Sequence, residues 1–263
     1  MDWLSRIFGR SGSKSKNPPS PIWHHQGSSS PTRNQMSPPN EAKSAFSMDI
    51  ERWGALNSDE TLKEADRLVK ERRYPLLIAI LREARYYGRA AEALQQCGDT
   101  QVARDIIGLL ADPSERVRMR AASALGPLGG EDAARALCSR LPQAVGQEVL
   151  EIAYALDRLP WAGAIQPLIQ ALHRATDFFQ RVYLAKALAR SGGQEGFDFL
   201  IAGVNKADAG QTENAQALLK LDHPQAIPAL KAYLQRLERR GANEQVYRKP
   251  VKEFLARHGV APD

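Results

Sequence analysis

The sequence is poor in the features that usually announce a catalytic or membrane-spanning protein. Two cysteines, Cys97 and Cys138, are too few for a disulfide framework and fit a reducing cytoplasm. No apolar run approaches the roughly 20 residues needed to span a bilayer. The stretch at 75–81 is among the longest, so no transmembrane segment is expected. Ser5, Arg6 and Gly9 interrupt the N-terminus where a secretory signal needs an unbroken apolar stretch. Gly126-Pro127-Leu128-Gly129-Gly130 lacks the Lys-Ser/Thr that completes a phosphate loop. His24 and His25 lie side by side in a stretch with no preformed site, where metal affinity would be low. No catalytic, cofactor-binding or metal-binding set is expected.

Charge of one sign is also missing where it would count most. The formal net charge is +6, but residues 1–45 and 225–263 each carry +4, leaving −2 for residues 46–224. A nearly neutral body argues against a phosphate-tracking groove along it, so nucleic acid is a disfavoured partner.

What is present begins with a biased N-terminal region. Residues 11–45 contain nine Ser, six Pro and two Gly, a composition that predicts a disordered linker. Within residues 1–10, Trp3, Leu4, Ile7 and Phe8 share one face of a short helix. That face could dock in a partner's groove or rest on a membrane surface, or it could be idle. Order is expected to begin between Phe46 and Ser58, giving a domain over 46–263. Asn57-Ser58-Asp59-Glu60 has the form of a helix start. Leu62, Ala65, Leu68 and Val69 keep helical spacing after it. Pro75 reads as the first residue of the next helix, which continues through Leu77, Ile80, Leu81 and Ala84.

From there the chain repeats. An Ala-Leu pair recurs with Leu94, Leu125, Leu156, Leu188 and Leu218 in register, at steps of 31, 31, 32 and 30 residues. Twelve residues after each lies Ile106, Leu137, Leu168, Leu200 or Leu230. Sixteen after each lies Leu110, Leu141, Leu172, Val204 or Leu234. Gly98, Gly129, Pro160, Gly192 and Asp222 follow the first column as helix-ending positions. A hairpin of two helices cannot bury its own apolar face, but stacked hairpins can. The period therefore predicts an all-α solenoid of about five helical hairpins behind an N-terminal helical pair.

The stretch from Asp112-Pro113-Ser114-Glu115-Arg116-Val117-Arg118 to Ala121-Ala122-Ser123-Ala124-Leu125-Gly126-Pro127-Leu128-Gly129 resembles the HEAT-like repeat of phycobilisome-lyase type. The resemblance spans about 75–240 and one unit is a close match; the other four keep the columns without the Asp-Pro turn. It implies the solenoid fold and, at Arg118, an arginine paired between repeats. For function it implies a range: scaffolds, chaperone-like factors, bilin lyases and a few enzymes. The histidine–glutamate pairs with which deoxyhypusine-hydroxylase-like relatives hold iron are absent. Cys97 falls in the column of Leu128, Leu159 and Leu221, and Cys138 adjoins Leu137; both read as small apolar core residues.

In such arrays the second helices are expected to line the concave surface. Arg104, Arg135, Arg140, Gln166, Gln170 and His173 are the candidate partner-binding residues on them, and solvation of a helix face accounts for them equally. A basic C-terminal patch of Arg236, Arg239, Arg240, Arg248, Lys249 and Lys252 could meet an acidic partner, anionic membrane or nucleic acid. The leading expectation is a non-enzymatic, cytoplasmic protein-binding adaptor, with peripheral membrane contact through the N-terminal segment as an option. The alternatives are a bilin-lyase-like or chaperone-like factor for a chromophore protein, and a nucleic-acid-binding or DNA-glycosylase-like protein.

Overall fold

The computed structural model describes residues 46–84, 88–95, 100–206, 208 and 210–261. Among them there are helices and turns and no strand. The tail assignments, 1–10 and 11–45, lie outside the described residues, as does Cys97. The stretch Lys43–Asp263 forms one compact unit.

The unit opens with α1 (Ser47–Ala55), whose Trp53 is 2% exposed. Two helices follow, α2 (Ser58–Lys70) and α3 (Tyr74–Glu83). The start read at Asn57 is a full capping box: its Oδ1 accepts from the Asp59 and Glu60 amides, and Glu60 accepts from the Asn57 amide. Such a cap contributes about 1 kcal/mol. Pro75 sits one residue into α3, behind Tyr74. Leu62 departs from the expected apolar face. Thr61, Ala65 and Leu68 form the buried stripe at i, i+4, i+7, which leaves Leu62 one position off it and exposed.

The repeated hairpins then run α4 (Gly88–Gln95) with α5 (Thr100–Gly108), α6 (Glu115–Leu128) with α7 (Glu131–Arg140), and α8 (Gly146–Arg158) with α9 (Ile165–Arg174). Next come α10 (Phe178–Arg190) with α11 (Gln194–Asn205) and α12 (Gln211–Leu221) with α13 (Ile227–Arg239). A short final helix, α14 (Lys249–Arg257), covers the end with Val251, Phe254 and Leu255. Every residue of the three columns is buried in one continuous core. The third column extends each second helix, and Leu110 and Leu141 reach it in single 3₁₀ turns.

The breaks between first and second helices follow backbone chemistry. Gly129 and Gly192 end α6 and α10 with φ of +82° and +92°, a region open chiefly to glycine. Asp222 does the same after α12 at φ +50°, a conformation short polar residues tolerate.

The layers differ in closeness. First helices of successive units, α6 with α8 and α8 with α10, run against each other along their length, while second helices meet at far fewer points. Small residues make this possible. At Gly126, a Cβ would stand 3.0 Å from the Ala155 Cα, and Ala121, Ala124, Ala153, Ala155, Ala185 and Ala187 are all sealed between neighbours.

Candidate functional site

Charged side chains in the central units are used first to join the units. Glu148 on α8 is fully buried and receives Arg118 from α6 and Arg140 from the end of α7. The Arg118 contacts are 3.0–3.2 Å, and the Arg140 Nε contact is 2.6 Å. Burial alone would push the Glu148 carboxyl up, but the hydrogen bonds from Arg140 and Arg118 outweigh it and hold it below its ordinary range. Arg118 also donates to the Asp112 and Pro113 carbonyls. Asp112 accepts from the Ser114 amide and from Arg82 on α3.

A second cluster lies one unit on. Asp157 on α8 pairs with Lys186 at 2.5 Å and Arg190 at 2.8 Å, both on α10. Burial pulls the Lys186 ammonium down from its ordinary value, against the hydrogen bond to Asp157. Arg190 reaches further, to the Lys220 carbonyl at the end of α12.

Arginines recur in this role of capping exposed carbonyls. Arg120 donates to Leu81 and Arg82 at the end of α3. Arg174 donates to Leu141 and Pro142 after α7, and Arg236 to Val204 near the end of α11. Each link spans 30 to 39 residues of sequence, about one repeat.

This changes how the expected site residues read. Arg104, Arg135, Gln166, Gln170 and His173 are exposed. Arg104 lies 3.5 Å from Gln101, and Arg135 pairs with Glu131 at 2.6 Å and stands 5.9 Å from the centre of the Trp161 ring. Arg140 is drawn out of that group into the Glu148 cluster. The C-terminal patch is similarly divided. Arg236 is a carbonyl cap beside Tyr233, Lys252 meets Glu238 at 3.6 Å and Lys249 meets Glu253 at 3.9 Å. Arg239 and Arg240 stand exposed at the end of α13, and Arg248 is half-buried. Trp3, Leu4, Ile7 and Phe8 lie outside the described residues.

Cys138 is buried, and burial pushes its thiol up to about 11, which suits a packing residue over a nucleophile. Among the described residues no group of three His, Cys, Asp or Glu side chains is placed to hold a metal, and no helix is long and apolar enough to cross a membrane.

A residue group not picked out by the columns stands on the first helices. Tyr154 on α8 and Tyr183 on α10 meet edge to face at 6.3 Å. Burial, Tyr154 and Asp157 together raise the Tyr183 hydroxyl pKa, and burial raises the Glu151 carboxyl against a hydrogen bond from Gln147. No repeat announces the pair: Tyr154 aligns with Ser123, Lys186 and Gln216, two residues before the leucine column. Arg158, Arg190 and Lys220 align two residues after it.

The in-phase hairpins define an α-solenoid protein. Residues 74–157 match the family model for HEAT repeats. No curated protein matches the sequence. Among solved structures, the chain is similar to the complex of CpcE and CpcF of phycocyanin lyase from Nostoc sp. PCC7120. The identity is 19%, over 86% of this chain and 99% of that one, with a TM-score of 0.49. It is also similar to an engineered protein, at 21% identity over 80% of this chain and 94% of the other, with a TM-score of 0.40.

Proposed function

We propose that the protein is a non-enzymatic HEAT-repeat adaptor whose concave face holds a protein partner. The observation that carries this reading is the division of labour among its charges. The buried charged groups described above each close on another repeat, as structural links, while an extended solvent-facing surface of mixed polar and aromatic residues remains. A rigid array of this kind presents area and shape, which is what protein recognition uses.

The neutral body and the conversion of Arg236, Arg174 and Arg190 into carbonyl caps both count against phosphate tracking. The apolar face formed in sequence by Trp3, Leu4, Ile7 and Phe8 would dock to a second partner or a membrane surface, with the Ser/Pro-rich 11–45 stretch as its tether.

Affinity capture with cross-linking, using the full chain and residues 46–263, tests both parts. A specific protein recovered by both, with a second lost on removing 1–45, is the expected result. Recovery of none under either condition would remove the adaptor reading. DNA retention falling steeply with salt would replace it.

A further inference from the structure

The last hairpin leads into an exposed turn that combines charge with apolar surface. Beyond α13 the chain bends at Gly241, whose φ is +62°, and passes through a single π turn, Glu244–Arg248, into α14. Val246 on this turn is 58% exposed and Tyr247 39%. Arg239 and Arg240 stand exposed just before the bend, and among the described residues neither meets a carboxylate. Lys249, also exposed, reaches Glu253 only at 3.9 Å, a surface pair of little strength. Residues 236–257 hold seven basic side chains against Glu238, Glu244 and Glu253, and Glu238 is met by Lys252. One short turn therefore presents uncompensated cations together with bare apolar side chains.

We propose that this turn, through Arg239, Arg240, Val246, Tyr247 and Lys249, is a contact site for an anionic phospholipid bilayer. The site is independent of the adaptor reading and adds a lipid surface to the protein's targets. The cations select an anionic partner, but charge decides nothing further, because the net-negative body repels a polyanion and an anionic bilayer alike. Val246 makes the choice. A nucleic acid or an acidic peptide would pair with the arginines and leave the exposed valine in water. A bilayer surface uses both kinds of side chain, with phosphates against the guanidinium groups and Val246 and Tyr247 at the headgroup–acyl boundary. The backbone at the tip suits that depth. The Val246 amide donates to Asn243 Oδ1 at 3.0 Å and the Tyr247 amide to the Asn243 carbonyl at 3.1 Å, so neither carries an unmet donor out of water. A patch this small binds reversibly, as a peripheral contact does.

Co-flotation of the full-length chain with vesicles tests the site, using pure phosphatidylcholine or an equimolar mixture with phosphatidylglycerol. Binding to the mixed vesicles and not to the pure ones is expected. Arg239→Glu with Arg240→Glu should lower the partition coefficient about tenfold or more, and Val246→Asp alone about threefold or more. Arg104→Glu with Arg135→Glu, an equal change of charge on the second helices, should leave it within about twofold at physiological salt. Arg239, Arg240 and Val246 are exposed, and unchanged melting of the variants confirms that a lost signal is lost binding. No flotation with the mixed vesicles, or equal flotation with both kinds, would overturn the proposal. So would binding that ignores Val246→Asp, or binding that survives both C-terminal variants and is lost with Trp3→Ala and Phe8→Ala. Binding of a labelled oligonucleotide but not of vesicles, weakened by the arginine variants alone, would assign the turn to nucleic acid instead. Each of these outcomes leaves the capture of a protein partner untouched, so the adaptor reading stands or falls separately.

Discussion

First and second helices of the same hairpins are built on opposite rules. The buried faces of the second helices are apolar: Leu168, Ala171 and Leu172 on α9, or Phe197, Leu200 and Val204 on α11. The buried faces of the first helices hold charge and amide groups as well: Arg120, Glu148, Asp157, Lys186, Gln211 and Asn214. Among the described residues, none of the buried charged groups falls on a second helix. The reason is geometric. A first helix is pressed between the first helices before and after it as well as its own partner, so positions that would be solvated elsewhere are sealed. Such a position is tolerable only if its polar group is satisfied. For Arg120, Glu148, Asp157 and Lys186 another unit supplies the partner, while Gln211 meets Arg236 of its own hairpin and the Asn214 amide donates to the Gly210 carbonyl. Closeness and polarity thus arrive together, and the links fix the register of one unit on the next.

Breaking the polar links should therefore cost most. Glu148→Ala leaves Arg118 and Arg140 part-buried against a vanished carboxylate, and a loss of about 3–5 kcal/mol is expected in urea unfolding. Truncating a second helix at Leu168→Ala removes apolar contact without stranding a charge, with an expected loss of about 2–5 kcal/mol and no change in pH dependence.

The pH dependence separates the two layers further. Glu148 has a lowered pKa in the folded chain, so its contribution is complete above its unfolded value. It is lost as pH falls through the native one. Acid unfolding followed by circular dichroism should show Glu148→Gln losing its stability deficit relative to the native sequence as pH falls through that window. A deficit unchanged with pH would mean that the carboxylate charge contributes nothing.

Spacing gives the smaller effects. Gly126→Ala places a methyl group 3.0 Å from the Ala155 Cα and should cost about 1–3 kcal/mol through overpacking. Gly108, at the end of second helix α5, has nothing within 4 Å of an added Cβ, so Gly108→Ala should stabilise by up to about 1 kcal/mol in thermal melts.

Much of this fold was legible in the sequence because the apolar columns carry it. Leu94 through Leu218 and their two companion columns identify every hairpin from α4 to α13, and all of them are buried where the period requires. The capping box at Asn57 was legible too, because its chemistry is local. Two kinds of feature were not. Trp53 anchors α1 from outside the repeat, so no column announced it. Glu148 and Asp157 each fall in a column otherwise occupied by apolar, small or amide residues, such as Val117 and Gln180 or Gly126 and Ala189. Their meaning depends on Arg118, Arg140 and Lys186 arriving from elsewhere in the chain. Spacing revealed the exposed stripe of second-helix residues, Arg104 to His173, but not that Arg140 would be withdrawn from it. The Tyr154–Tyr183 pair escaped because single tyrosines in two different units form no repeat.

Native-state hydrogen exchange on the full chain tests the difference between the layers most directly, since it reads local opening helix by helix. The slowest amides should lie in the middle turns of α6, α8, α10 and α12, with α7, α9 and α11 exchanging through lower-energy openings. Second helices exchanging as slowly as the first, or more slowly, would contradict the account.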